Sequence, residues 1–590
     1  MVYKNIVLFI LLQGALLVGV LGAPVVAALE LGDRVDNFRL MDHIGGSSEL
    51  YYYADVKAVA IMAHTSRCEQ VARNAQVLQA LQTGLADNDL HVMAINSDLL
   101  DRRDDILTAN AASALQTPIL MDTTQIVGES LGLTKAAEVL VIDPDGWRLV
   151  YRGEMIGAQK VIEKLAGVET SNPAGAQRLA ASSSGASNCT IDYPELADRS
   201  KHANISYAET IAPMLAENCV SCHREGGIGP WAMSDYNMVR GFAPMIREVV
   251  RTQRMPPWHA DPHVGRFSNN RSLSDEEIRT LVHWIEAGAP RGDGADLLAA
   301  MKRYWPQWVM GEPDVIIDIP PEQVPATGVV DYKYKMVQNP MSEDAWVKAV
   351  EIIPGDRAVL HHVITTFGEL ETEGRRAGRL KRGTGGGLGG YVPGDEGDLF
   401  PAKTGVLLPA NATIEFQMHY TTAGRATTDA SQIGLYLHKD KPEHELKSLI
   451  LLNPRINIPA GADNHSDMAQ RVIDRDIMVY SLLPHAHYRG KASEFVAHYP
   501  DGREEKLLSV PRYDFNWQTT YTLEQPKRLP AGTRIVHRTW WDNSVRNPAN
   551  PDASRSVPWG EQSFDEMLFG AIRYRELDTV AAIGPTVGED

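Results

Sequence analysis

The sequence predicts a multidomain protein built from an α/β unit, a small all-α unit and two all-β sandwiches, in that order. Three observations carry this reading. Apolar, β-rich runs alternate with helical patterns up to about residue 167. A Cys-x-x-Cys-His motif lies among short amphipathic helices between about 192 and 300. From about 308 onward, short strands are punctuated by Gly, Pro and Asn turns. A chain of 590 residues is too long for one core, and about 150 residues per domain implies several. The formal net charge of −18 disfavours nucleic acid and a polybasic membrane surface.

The first element, residues 1–28, reads as an export signal. Lys4 precedes an apolar stretch from Ile6 to Leu21, and the small residues Val26, Ala27 and Ala28 follow. The same residues would also serve as an uncleaved membrane anchor. Either way the body of the chain is expected in the periplasm or outside the cell.

Residues 29–167 follow, with strands expected at Ala58–Met62, His91–Ile95, Pro118–Met121, Val139–Ile142 and Arg148–Tyr151. The stretch Glu138–Gly153, EVLVIDPDGWRLVYRG, resembles the terminal hairpin of thioredoxin-like redoxin domains, and the resemblance spans this whole unit. Cys68 sits where a strand hands over to a helix, whose N-terminal amides can lower a thiol pKa. A thioredoxin motif would have a second cysteine where this chain has Thr65. The segment TSRC instead resembles the threonine-to-cysteine spacing of peroxiredoxins, with Ile61 in place of their proline. Two readings stand: a peroxide- or thiol-reactive Cys68 paired with Cys189, or a degenerate redoxin used for docking. Residues 168–191, rich in Ser, Ala and Gly, read as a flexible linker.

In residues 192–300 the motif Cys219-Val220-Ser221-Cys222-His223 has the spacing of c-type haem attachment. Two thiols one helical turn apart can add to both vinyl groups of one porphyrin, and the adjacent His223 offers its imidazole to the iron. Helices are expected at Ile211–Asn218, at Met238–Arg251 and from a Ser274 cap to Ala287. The sixth ligand should be Met or His. Met255, in the loop RMPPW, is the choice; Met233, Met238, Met245, His259 and His263 are the rivals.

The β region carries four histidine or methionine motifs: LHHVITTFG (His361, His362), IEFQMHY (His419), LLPHAHYRG (His485, His487) and FDEMLFG (Met567). His485 and His487, two apart on a strand, project to the same side and can share a metal. His361 and His362 are adjacent, so they converge only at a bulge or a strand end. Imidazoles suit copper in both oxidation states, and a thioether favours Cu(I). His438, His465 and His498 read as ordinary core or solvated residues.

These four motifs, in this order, resemble the copper type II, ascorbate-dependent monooxygenases, the family of peptidylglycine α-hydroxylating and dopamine β-monooxygenases. The resemblance implies two consecutive jelly-roll-like sandwiches, residues 308–445 and 446–578, with a solvent cleft between them. It implies an electron-transferring copper on His361, His362 and His419. A second copper, binding oxygen, would lie on His485, His487 and Met567. The departures bear on the substrate: Leu483 stands where peptide-hydroxylating members carry an arginine, and Ala571 replaces their tyrosine. The family's disulfides are also absent, because no cysteine follows Cys222.

The expected function is therefore an exported monooxygenase with two copper ions and one covalent haem c, hydroxylating a C–H bond of a small-molecule or peptide-like substrate with O2. Its external electron donor would be an ascorbate-like reductant or another cytochrome, feeding the haem and then the His361/His362/His419 copper. The alternatives are a multi-centre electron-transfer or copper-handling protein, and a thiol peroxidase using Cys68.

Overall fold

A computed structural model describes residues 29–577, apart from 87, 114–116, 169–188, 198, 302–305, 374–376, 382–384 and 395–396. The expected export signal and most of the expected linker lie outside the described residues. No helix among the described residues is long and apolar enough to cross a membrane.

The α/β unit is a five-stranded sheet ordered Ile119–Met121, Leu90–Asn96, Ala58–His64, Val139–Asp143, Arg148–Gly153. The first three strands run parallel and the last two pair antiparallel. Ala58–His64 is buried along its whole length, as a central strand covered on both faces must be. That explains its unbroken apolar run. Helix Glu69–Gly84 starts directly after Cys68, its N-cap residue.

The helical region holds Ala212–Asn218, Tyr236–Gly241, Ala243–Arg251 and Asp275–Glu286. The single helix expected over Met238–Arg251 is two helices. Pro244 occupies the first turn of the second one, where its missing N–H costs nothing. Further inside a helix it would remove a hydrogen bond. The helix expected from Ser274 is present and carries a complete capping box with Glu277. One continuous apolar cluster joins this region to the α/β unit, running from Val35 to Leu298.

From Val315 onward every regular element among the described residues is a β-strand. In the first β region, strands Lys333–Gln338, Thr413–Tyr420, Leu360–Gly368 and Gly386–Tyr391 form one sheet. A second sheet is built around Ala345–Ile353, Gln432–Leu437 and Thr404–Leu408. Side chains of both sheets make one core containing Val347, Val363, Phe416 and Leu435. The second β region pairs the sheet of Lys447–Leu452, Phe569–Glu576, Ile477–His485 and Tyr521–Leu529 with that of His465–Val472, Arg534–Trp541, Gly490–His498 and Glu504–Val510. Phe495, Leu482 and Trp541 lie in its core.

The regions are packed together. Ala260, from the helical region, belongs to the second β core, and Trp258 meets Tyr521 edge-on. The Asp261 N–H donates to Ser509 O at 2.9 Å. The α/β unit reaches the same β region through Tyr52, which donates to Asp542 at 2.7 Å, and through an Arg546–Asp55 pair at 2.7 Å.

Candidate metal and redox centres

The register between Leu360–Gly368 and Thr413–Tyr420 shifts between Leu360, opposite Tyr420, and His362, opposite His419. His361 is therefore the extra residue of a β-bulge. The bulge lets two sequence neighbours turn their rings to one side. His361 Nδ1 lies 3.0 Å from His362 Nδ1 and 3.2 Å from His419 Nδ1. One ligand atom from each of the three falls within 4.8 Å of the others. From the second β region, His485 ends its strand and His487 follows two residues later, their ring centroids 5.2 Å apart.

The two groups meet. The ring centroids of His362 and His485 are 6.1 Å apart. Phe515 stacks on His361 at 4.9 Å, and Tyr332 stands edge-on to His419 at 4.7 Å and to His487 at 6.2 Å. All five histidines are buried. The solvent cleft expected between the two sets is thus corrected: aromatic rings close the space, and the five imidazoles form one buried cluster.

Burial holds these imidazoles neutral, since a charged ring there would lose its hydration. It pulls His361 and His485 down to about 4, His487 to about 3 and His419 to about 2, with His362 well below the usual range. Neutral imidazole is the form that ligates metal. Second contacts fix the rings. His485 Nδ1 is 2.6 Å from Gln518 Oε1, which accepts its proton and leaves Nε2 as the donor atom. His419 Nε2 is 3.1 Å from Ser563 Oγ, leaving its Nδ1 toward His361. His362 Nε2 is buried without a hydrogen-bond partner among the described residues, while His361 meets Asn516 and His487 meets the backbone at Gln562 and Asp565. Three converging Nδ1 atoms on neutral, buried rings fit a metal cation.

Met567 is half-buried and lies two residues before Phe569, which pairs with His485. The preceding Glu566 is fully buried. Its carboxylate accepts from the His487 N–H at 2.9 Å, the Arg489 N–H at 2.6 Å, Trp541 Nε1 at 3.0 Å and the Met567 N–H at 3.3 Å. Burial nevertheless pushes Glu566 up to about 7. Gln518, Phe515, Ser563 and Tyr332 were not legible as site residues, because each lies in a loop or strand end without a motif. Glu566 was visible only as the neighbour of Met567.

At the Cys-x-x-Cys-His motif the chain leaves helix Ala212–Asn218 and turns back, so that the His223 N–H donates to Cys219 O at 2.9 Å. Burial pushes the Cys219 thiol up to about 12. His223 Nδ1 lies 3.1 Å from Trp231 O, which takes its proton and leaves Nε2 for an iron. A side chain at Gly229 would put Cβ 2.8 Å from His223 Nδ1, so the close turn there requires glycine. A cavity of about 220 Å³ beside His223 is lined by Val220, Met233, Met238, Leu298 and Met301 among others. These features fit the axial side of a haem c. Met255, the expected distal ligand, is not among the residues lining that cavity. Its N–H is tied back to Val249 O at 3.2 Å, and the chain beyond it runs onto the second β region. The motif also abuts the β regions. A Cβ added at Gly394 would sit 3.0 Å from Cys222 Sγ and 3.9 Å from the Trp517 ring.

In the α/β unit, Cys68 is buried and disulfide-bonded to Cys189. It is paired with the cysteine that the sequence reading set beside it. Thr65 turns away from it and donates to Asp98 at 2.8 Å and Asp101 at 3.1 Å. The segment after Cys189 is held to the α/β unit: the Ala136 N–H donates to Cys189 O at 2.8 Å, and the Ile191 N–H to Thr134 O at 3.0 Å.

Residues 31–150 match the AhpC/TSA family, and this part of the chain is a thioredoxin-like α/β domain. No curated protein matches the chain. Among solved structures, a hypothetical protein from Sinorhizobium meliloti 1021 is 22% identical, covering 25% of this chain and 91% of its own, with a TM-score of 0.23. The thioredoxin domain of a thiol-disulfide oxidoreductase from Bacteroides vulgatus is 18% identical over 23% of this chain and 99% of its own, with a TM-score of 0.20. A peroxidoxin from Mycobacterium tuberculosis is 18% identical over 24% of this chain and 99% of its own, with a TM-score of 0.21.

Proposed function

We propose that the chain is an exported copper-dependent monooxygenase that hydroxylates a C–H bond of a small-molecule or peptide-like substrate, with electrons entering through a covalent haem c. One observation carries the reading: five buried, neutral imidazoles from two β regions meet in one cluster, three of them with Nδ1 atoms converging. Two copper ions would supply one-electron transfer and O2 activation, and a haem c would supply one-electron delivery. His361, His362 and His419 would hold one copper; His485, His487 and Met567 would hold the other. Gln518 keeps the His485 Nδ1 proton, so that ring offers Nε2 only. Glu566 orients the backbone of His487 and Met567 together. Tyr332 and Phe515 exclude water from the rings. Cys219, Cys222 and His223 would hold the haem, and Cys222 and Trp517, the neighbour of Gln518, both lie against Gly394.

The test is copper and haem analysis of the purified chain together with reductant-dependent oxygen consumption. Two copper ions and one haem per chain, with oxygen uptake coupled to a hydroxylated product, are expected. A cluster that takes only zinc after copper loading would overturn the reading.

A second reading concerns the α/β domain alone and is favoured by the Cys68–Cys189 pair. The two cysteines would cycle between dithiol and disulfide, and reduced Cys68 would react with peroxide. Peroxide consumption by the reduced chain that is lost in Cys68→Ser supports it; equal consumption by both overturns it.

A further inference from the structure

A second histidine cluster lies far from the copper ligands, where the α/β domain meets the helical region. Helix Asp275–Glu286 carries His283, and the short helix Ile126–Leu131 of the α/β domain carries Glu129. The segment that follows Cys189 carries Glu195 and His202. Glu195, His202 and His283 each offer one ligand atom within 4.8 Å of the others. The His202 and His283 rings stack with centroids 4.0 Å apart. His202 Nε2 is 3.4 Å from Glu195 Oε2, and His283 Nε2 is 3.1 Å from Glu129 Oε2.

Glu129 makes this more than a hydrogen-bonded patch. Its side chain is 3% exposed, and its Oε1 has no hydrogen-bond partner among the described residues. A buried carboxylate with one oxygen unmatched is costly unless a cation lies against it. An imidazole can share only one proton with it. Two stacked imidazoles and the Glu195 carboxylate, half-exposed at 48%, supply two nitrogen donors and one oxygen donor within 4.8 Å of one another, and Glu129 lies against His283.

The geometry points to a structural zinc site formed by Glu195, His202 and His283, with Glu129 held against His283 behind it. Zinc takes four nitrogen and oxygen ligands tetrahedrally, whereas calcium and magnesium want oxygen alone. The ligating Glu195 carboxylate and the buried Glu129 carboxylate behind His283 offset the charge of the dication, and water can fill the fourth position on the Glu195 side. The site would clamp three pieces of chain together: the α/β domain, the Cys189–His202 segment already tied to it by the Cys68–Cys189 disulfide, and the helical region.

The probe is zinc chloride, offered to the full chain after copper loading and followed by desalting. One zinc per chain should be retained, and zinc should raise the thermal unfolding temperature. Glu195→Gln alters a half-exposed side chain and leaves packing intact, so it should lose that zinc and that stabilisation with copper and haem contents unchanged. His361→Ala, at the other cluster, should keep both. If Glu195→Gln and His202→Ala retain zinc as the parent does, the four residues form a hydrogen-bonded junction and the proposal fails. It fails equally if the parent retains none, or if His361→Ala rather than Glu195→Gln abolishes retention.

Discussion

The two histidine clusters differ in what surrounds the imidazoles. At the junction of the β regions, the five rings face one another, Phe515, Tyr332 and a glutamine amide; the one buried carboxylate nearby, Glu566, is occupied by four N–H donors. At the junction of the α/β and helical regions, both rings face carboxylates. Neutral donors leave a bound ion its charge and favour the lower oxidation state; anionic donors fix a dication. The first environment suits a metal that must change charge, and the second suits one that must not. Ligand type alone, histidine in both cases, would not separate them.

The largest expected effect breaks the first cluster. His485→Ala should abolish oxygen-dependent turnover, at least 100-fold, and halve copper content while haem content stays constant. Metal analysis beside an oxygen electrode checks both. Full copper content in His485→Ala would remove that residue from the ligand set. Gln518→Leu is a finer cut through the same site. It removes the group that holds the His485 Nδ1 proton, so copper affinity at His485 and His487 should fall about 10- to 100-fold. The copper on His361, His362 and His419 should be unaffected. Competitive chelator titration separates the two.

Acid should also tell the clusters apart. The five imidazoles titrate well below about 6.5 in the folded chain and near 6.5 once unfolded. Unfolding therefore takes up protons below pH 6.5. Stability of the metal-free chain should fall as the pH drops from 6.5 toward 4, by about 1.4 kcal/mol per pH unit for each proton taken up. Copper binding should persist to about pH 5, because the folded rings are still neutral there. Chemical denaturation at pH 7, 6 and 5 measures the first effect, and copper retention over the same range the second. A binding midpoint at 6.5 would mean the rings are solvated.

Much of the first cluster was legible before any coordinates. Period-two alternation in IEFQMHY put His419 opposite Phe416, and the adjacency of His361 and His362 demanded the bulge that the register shift shows. The α/β strands were legible to within two residues at each end, because a parallel sheet needs long apolar runs. What could not be read depends on chain segments distant in sequence. Gln518 reaches His485 across 33 residues, and Glu129 reaches His283 across 154. Neither follows a period or a spacing. The loop of Met255 shows the same limit: its cytochrome-like distance from the motif says nothing of the β region that the chain beyond it meets. The helix break near Pro244 was legible in principle, since proline is tolerated only in a first turn.

Cross-links offer a milder probe. Cys189→Ser opens a loop closed across 121 residues, which should cost about 2–4 kcal/mol. Because the same segment carries Glu195 and His202, zinc retention should weaken with it, while copper content should not change. Equal loss of both metals would mean that the two junctions unfold as one.

The smallest effect serves as the control for the zinc site. His283 rides on helix Asp275–Glu286, so a His283 variant that loses zinc could be explained by a loosened helix. Ser274→Ala removes the capping hydroxyl, which accepts from the Glu277 N–H and donates to the Glu277 carboxylate, and keeps the backbone N–H that donates to the same carboxylate. This should cost about 1 kcal/mol. The damage is confined to the first turn, two turns before His283, whose ring is held by Glu129 and by its stack on His202. Ser274→Ala should therefore lower the unfolding temperature by a few degrees and leave zinc retention intact. If it releases zinc as fully as Glu195→Gln does, retention follows helix stability and not ligand identity, and the contrast between the two clusters loses its chemical basis.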